Sequence, residues 1–226
     1  MRVLTWNCNL NFREDFHSIK NLNADVMIIQ ECENLDLSSF EGYLFHWIGE
    51  SKNKGLAVLT KSDSFLSNDV FNKDLIYFLP VTLGKTAILG VWAFNHRAKN
   101  KNPNGSGYIL DALKHYERWL TSHTNFIVAG DFNNGPQWDK LGSSNNFFDI
   151  NLKLNSLNLK SSYHIFSNED FGVETKFTHF HQKNSSKGFH IDYIYSNFKN
   201  IGLHKVEDFN LWRNLSDHVP IYADLN

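Results

Sequence analysis

Cysteine is scarce in this 226-residue chain: it occurs only as Cys8 and Cys32. Each lies inside an apolar segment rather than in a metal-type pair, so neither a disulfide framework nor a thiolate metal site is expected. Both thiols are read as reduced and buried. An excess of one charge is lacking too. The 22 Lys and Arg against 24 Asp and Glu leave a net charge of −2. That balance gives no support to tight, sequence-independent nucleic-acid binding over the whole surface, and it leaves room for a local basic groove. No apolar run nears the ~20 residues that span a bilayer. Arg2 leads straight into the first apolar run, without the stretch of a secretory signal. The expectation is a cytoplasmic protein with no membrane span, monomeric by default. Repeats, low-complexity tracts and dividing linkers are missing as well, so residues 1–226 are expected to form a single domain.

What is present is apolar bulk. Hydrophobic residues make up 42% and aromatics 15%, including 19 Phe and 6 Trp, enough to bury a core without staples. Val3 to Cys8 reads as a first strand. Phe12, Phe16, Ile19 and Leu22 fall at helical spacing over 12–22. Asp25 to Glu31 is apolar until its polar end, as in a strand covered on both faces. Further strands are expected at 43–48, 55–60, 75–83, 86–94, 125–130, 175–180, 189–195 and 217–224. Ile109, Leu110, Leu113, Tyr116, Trp119 and Leu120 make one face of a helix over 107–121, with Ser106 as its N-cap. Short helices are expected within 134–158. The polar stretches 97–106 and 181–188 read as loops. Many strands with few helices suggest two packed sheets with helices outside.

The informative residues sit at strand boundaries. The first strand ends at Asn7 and the second at Gln30-Glu31. Phe126-Ile127-Val128-Ala129 runs into Gly130-Asp131-Phe132-Asn133. Asp192 lies in Ile191-Asp192-Tyr193, and Ser216-Asp217-His218 opens the last expected strand. Strand ends are rigid mounts for functional groups. A phosphodiester is anionic and repels a nucleophile; metal ions, His and amide donors offset that charge in the transition state. Glu31 and Asp217 supply the carboxylates that a hard cation such as Mg²⁺ prefers. Asp131 can deprotonate or orient an attacking water. Asn7 and Asn133 can hold phosphate or base without adding charge. His218, kept cationic by Asp192, can bind a phosphate oxygen.

Each group has an ordinary alternative. Glu31 can be a solvated end residue and Gly-Asp-Phe-Asn a turn. Asp192 can be a lone edge charge, and Ser216-Asp217 an Asx-type turn. Their joint occurrence, in this order and each at a strand boundary, is what favours a site.

These segments resemble the endonuclease/exonuclease/phosphatase superfamily, the deoxyribonuclease-I-like fold. The matching stretches are Thr5-Trp6-Asn7, Gln30-Glu31, Gly55-Leu56-Ala57-Val58-Leu59, Gly130-Asp131-Phe132-Asn133, His190-Ile191-Asp192-Tyr193 and Ser216-Asp217-His218-Val219-Pro220-Ile221. The resemblance covers residues 2–225. It implies an α/β fold, a four-layer α/β/β/α sandwich of two mainly antiparallel mixed sheets flanked by helices. It also implies a hydrolase dependent on Mg²⁺ or Mn²⁺. In that family pattern Glu31 is the principal metal ligand, with Asp217 and Asn7 beside it. Asp131 activates water, Asn133 contacts the phosphate, and His218, oriented by Asp192, binds it.

Asn95-His96 stands where relatives often carry Thr-His, which makes His96 a candidate for protonating the leaving oxygen. His190 stands where relatives often carry Arg; a substrate contact and a packed structural histidine are both open. His164 and His179 are further candidates to line the cleft. Arg97, with Lys99 and Lys101, forms a basic loop that can reach a phosphate backbone. Trp47, Trp92, Trp138 and Trp212 are either core or a stacking surface for bases. The expected substrate is nucleic acid, cut by a nuclease. A small nucleotide, phosphoinositide or other phosphorylated metabolite is the alternative. A binding domain without turnover is the alternative outside enzymes, and it is disfavoured because Glu31, Asp131 and His218 are all present.

Overall fold

A strand that is apolar at every position must be covered on both faces, and Val26-Met27-Ile28-Ile29 is such a run. In the computed structural model, which describes residues 1–93 and 108–226, all four are fully buried. The elements are β1 (Arg2–Asn7), α1 (Phe12–Lys20), β2 (Val26–Cys32), β3 (Ser39–Phe40), β4 (Tyr43–Ser51), β5 (Lys54–Thr60), β6 (Ser64–Leu66), β7 (Phe78–Leu83), β8 (Thr86–Trp92), α2 (Ile109–Thr121), β9 (Asn125–Asp131), α3 (Phe147–Ser156), β10 (Lys160–Ser161), α4 (Ser162–Ser167), β11 (His179–Phe180), β12 (Gly188–Phe189), β13 (Asp192–Ser196), β14 (Ile201–Val206), α5 (Phe209–Trp212) and β15 (Ile221–Leu225).

Two mixed sheets result. One has seven strands in the order β14-β15-β1-β2-β5-β4-β3, and the other six in the order β10-β13-β9-β8-β7-β6; β11 and β12 pair as a small ribbon. In the first sheet β1 runs parallel to β2, with α1 in the crossover. In the second β8 runs parallel to β9, with α2 in the crossover.

The inner faces meet through Val3, Ile28 and Val58 of one sheet and Leu79, Ile88 and Ile127 of the other. Phe12, Phe16 and Ile19 of α1 cover the outer face of the first sheet. Leu113, Tyr116 and Leu120 of α2, with Ile150 and Leu154 of α3, cover the second. The architecture is the four-layer α/β/β/α sandwich. No helix among the described residues is long and apolar enough to cross a membrane. Cys8 and Cys32 are free and buried.

The two sheets approach closely at Gly90. A Cβ there would stand 2.8 Å from Val58 Cγ2 and 3.4 Å from Ile28 Cγ2. Gly90→Val is therefore expected to overpack the inter-sheet layer and to cost about 1–3 kcal/mol, read as a lowered urea midpoint with an unchanged slope. Wild-type stability in that variant would mean that the layer yields.

This topology places the informative residues at one end of both sheets. Asn7 ends β1 and Asp131 ends β9. Asp192 opens β13 directly opposite Asp131 in the antiparallel ladder. Thr5 pairs with Ile221 at the start of β15, so the segment carrying His218 returns to the end of β1.

Several boundaries differ from the sequence expectation. Ser216-Asp217-His218 precedes the last strand instead of opening it, because Pro220 offers no N–H to a ladder. That segment bonds to β11 and the residue before it: the Phe180 amide donates to Asp217 O (2.7 Å) and the Val219 amide to Thr178 O (2.8 Å). The strand expected at 175–180 shrinks to β11, and that at 75–83 begins only at Phe78. Tyr108, not Ser106, precedes α2; Ser106 and the basic loop from Arg97 lie outside the described residues. β14 escaped the sequence reading. It is an edge strand, and Gly202, His204 and Lys205 break its apolar alternation.

Candidate active site

Asp131, like its ladder partner Asp192, is a fully enclosed carboxylate, 1% exposed. Gly130 delivers it: a Cβ on Gly130, whose φ is +148°, would overlap the Val91 carbonyl oxygen. Asn133 adopts a left-handed backbone, φ 48°, which asparagine tolerates well. The turn brings its groups back onto the carboxylate. The Asn133 amide donates to Asp131 Oδ1 at 2.8 Å and its Nδ2 to Oδ2 at 3.0 Å. Asn7 Nδ2 donates to the same Oδ2 at 3.2 Å. The Asp131 pKa is raised to about 7. Burial is the largest cause and the neighbouring Asp192 charge the next; His218 and the amide donors oppose them.

The second half of the site is an imidazole on a carboxylate. His218 Nδ1 lies 2.9 Å from Asp192 Oδ2, and its Nε2 lies 4.0 Å from Asp131 Oδ2. Both partners are pinned through backbone groups. Thr178 Oγ1 accepts the amides of Ile191 and Asp192 at 3.0 and 3.1 Å. Ser216 Oγ accepts the His218 amide at 3.0 Å and donates to Asn7 O at 2.7 Å. Trp6 Nε1 donates to His218 O at 3.1 Å. Burial by itself would lower the His218 pKa, but Asp192, then Asp131 and Asp217, outweigh it and raise it to about 9. His218 is thus a cation at neutral pH, wedged among carboxylates.

Glu31 stands beside this set, one residue beyond the Asn7 to Gln30 pairing of β1 and β2. The β2–β5 register shifts there, and Glu31 has a φ of 55°. A bulge of this kind re-aims a side chain. Its Oε2 pairs with Lys54 Nζ at 3.0 Å, and Lys54 lies over the Trp92 ring at 5.1 Å. Asp217 is 3.5 Å from His179 Nε2; burial by itself would raise its pKa, but His179 and His218 outweigh it and leave it below the usual carboxylate range.

Among the described residues, two groups of side chains offer ligand atoms close enough for one metal ion: Asp131, Asp192 and His218, and His179, Asp217 and His218. Glu31 belongs to neither. Hydrogen bonds thus bring together Asn7, Asp131, Asn133, Asp192 and His218. His96 and Arg97 lie outside the described residues.

His190 and His164 take a packed place. His190 is buried, with Nδ1 2.8 Å from Lys176 O and its ring 4.5 Å from that of Tyr163. His164 lies between Ser161 Oγ (2.8 Å) and Glu174 Oε1 (3.1 Å) and stacks on Phe171. Trp212 is likewise core, against Trp6. His204 joins the histidine cluster against Tyr163, its Nδ1 2.8 Å from Ser162 Oγ. Burial, reinforced by His190 and His164, pushes its pKa down to about 3. Unfolded, it takes a proton near 6.5; folded, it refuses one until about 3. Stability is therefore expected to fall as pH drops below 6.5, at roughly 1.4 kcal/mol per pH unit for this group. Urea melts across that range check it: His204→Phe should flatten the slope, and an unchanged slope would assign it elsewhere.

The residues that sequence reading missed are the supports. Thr178 accepts from amides 13 and 14 positions away, the Ser216 hydroxyl reaches the carbonyl of Asn7 across 209 positions, and Lys54 carries no local signal except that it precedes Gly55.

The sequence pattern of the Endonuclease/Exonuclease/phosphatase family matches residues 4–218. No curated protein matches the chain by sequence. Solved structures that resemble it include a 3'-5' exonuclease (NExo) from Neisseria meningitidis, 19% identical with TM-score 0.73, covering 100% of each chain. The 3' phosphatase NExo (D146N) from Neisseria bound to product DNA hairpin is 19% identical with TM-score 0.73, over 100% of this chain and 99% of that one. An AP endonuclease from Archaeoglobus fulgidus is 14% identical with TM-score 0.72, again over 100% and 99%. At such identities the likeness is one of fold, whereas the sequence match spans nearly all of the strand-end residues described above. On that match the chain belongs to the endonuclease/exonuclease/phosphatase family, whose members are phosphodiester hydrolases.

Proposed function

We propose that the protein is a Mg²⁺- or Mn²⁺-dependent nuclease that hydrolyses phosphodiester bonds in DNA or RNA. The observation that carries this reading is the buried Asp131, Asp192 and His218 set, in which a carboxylate of raised pKa faces a cationic imidazole. The donor set fits a hard cation: Glu31 and Asp217 keep partly exposed carboxylates, and Asp192 Oδ1 is buried without a partner. Glu31, with Asp217 and Asn7, would hold the ion. When bound, it neutralises phosphate charge and stabilises the charge that develops in the transition state.

The chain's own groups do the rest. Asp131, near its titration point, takes a proton from the attacking water or orients it. Asn133 and Asn7 fix Asp131 and face the phosphate with amide donors. His218, through Nε2, donates to a phosphate oxygen, while Asp192 holds the ring in place.

That a neighbour of the same fold binds a DNA hairpin product supports the polymer reading. The net charge of −2 favours a second reading, a phosphatase or phosphodiesterase acting on a small phosphorylated metabolite. Labelled single- and double-stranded DNA and RNA, incubated with Mg²⁺ or Mn²⁺ beside a panel of small phosphate esters, separate the two. Cleavage of a polymer is the expected result. Activity confined to small esters would replace the first reading by the second.

A further inference from the structure

His179 has no part in the chemistry above, yet the fold presses it against that chemistry. A backbone bridge pairs His179 with His218. The flanking amides of Phe180 and Val219 bond to Asp217 O and Thr178 O. Two imidazoles are thereby held side by side, ring centroids 4.5 Å apart. His179 Nε2 stands 3.5 Å from Asp217 Oδ2. That is long for a charge-assisted bond of about 2.7–2.9 Å. It is close to the roughly 3.4 Å between two ligands that each lie about 2.1 Å from one tetrahedral ion.

One ligand atom from each of His179, Asp217 and His218 lies within 4.8 Å of the others, so modest side-chain shifts bring all three onto one ion. Asp192 occupies His218 Nδ1, which leaves Nε2 as the ligating atom, in the carboxylate-histidine arrangement that supports metal-bound imidazoles. His179 Nδ1 is buried without a partner, so Nε2 is the nitrogen through which that ring can act. The Asp217 side chain is 34% exposed and gives an ion its way in.

We propose that His179, Asp217 and His218 form a site for a borderline divalent cation such as Zn²⁺, which shares Asp217 with the carboxylate position at Glu31. Two imidazoles and one carboxylate suit Zn²⁺ or Co²⁺ and discriminate against Mg²⁺, which prefers oxygen and retains its water. A cation there takes His218 Nε2 away from the substrate phosphate, so Zn²⁺ inhibits hydrolysis; this last step rests on the function proposed above.

Calorimetric titration of Zn²⁺ into the protein in excess Mg²⁺ tests the site directly. One Zn²⁺ site is expected in the wild type, weakened by about tenfold or more in His179→Asn, which removes one of three protein ligands. His181→Asn, whose ring centroid is 6.2 Å from that of His179, should leave binding unchanged. Co²⁺ should give the intense visible band of a four-coordinate ion in the wild type, a readout independent of whether any variant folds. Equal Zn²⁺ affinity in His179→Asn, weakening by His181→Asn, ready displacement by Mg²⁺, or no such Co²⁺ band would each overturn the proposal. Zn²⁺ that inhibits the wild type should spare His179→Asn. A protein that binds Zn²⁺ in this way and hydrolyses nothing would refute the proposed function and leave the site standing.

Discussion

His218→Asn is expected to lower kcat by on the order of 10²–10³-fold with the fold intact, the usual cost of one lost electrostatic donor. The ring is buried, and burial alone would discharge it; the carboxylates of Asp192, Asp131 and Asp217 reverse that balance and raise its pKa to about 9. The rate should therefore decline as pH rises through about 9. Stability follows the same sign. A histidine whose folded pKa exceeds its unfolded value of 6.5 contributes fully below 6.5 and ceases to contribute as pH passes about 9. Asp192→Asn removes the largest raising influence, so the alkaline limb should move to lower pH and kcat should fall even though His218 remains. The double variant should lose little more than either single one, since the two residues act as a unit. Steady-state rates across pH decide this. Additive losses, or an unmoved limb in Asp192→Asn, would separate Asp192 from the imidazole.

Asp131→Asn is expected to lower kcat by about 10²–10⁴-fold, the range for a lost general base. The substitution keeps the shape of the side chain and removes the charge, and it turns one of the two oxygens that accept from Asn133 and Asn7 into an amide nitrogen that cannot accept. Burial first, and Asp192 second, raise the Asp131 pKa to about 7. A folded carboxyl with a raised pKa costs stability as pH climbs from 3.8 to about 7, because the folded state must then ionise a group it prefers protonated. The loss of stability between pH 3.8 and about 7 should accordingly be shallower in the metal-free Asp131→Asn protein than in the wild type, while the variant is nearly inactive. Urea melts across that range and rates on the same samples test both halves. A variant whose stability falls as steeply and that is still active would overturn both.

The residues that meet in the site were legible because each interrupts an apolar run at a strand boundary: Asn7 after Thr5-Trp6, Asp131 after the buried Ile127-Val128-Ala129, Asp192 after Ile191. Periodicity carried the layers too, since α1 and α2 display their buried faces in the spacing of Phe12, Phe16 and Ile19 and of Leu113, Tyr116 and Leu120. What stayed hidden depends on contacts between distant positions. No pattern near Ser216 announces that its hydroxyl bridges the His218 amide and Asn7 O. The pairing of Glu31 with Lys54 needs two neighbouring strands in register. His190 and His179 look alike as polar residues beside strands, yet one is sealed against Tyr163 and Tyr193 and the other faces Asp217. Ribbons as short as β11 and β12 are too brief to display a period.

The place of β1 between β2 and β15 bears on how the molecule comes together. The Arg2 guanidinium grips Asp224 at 2.7 and 2.9 Å across 222 positions, and Trp6 reaches the His218 carbonyl across 212. Closing a loop of that length costs on the order of 5 kcal/mol of chain entropy before any contact offsets it, and such non-local pairings retard folding. Asn7 and His218 should become neighbours only in the closing stage of refolding, so enzymatic competence should return later than the bulk of tryptophan burial.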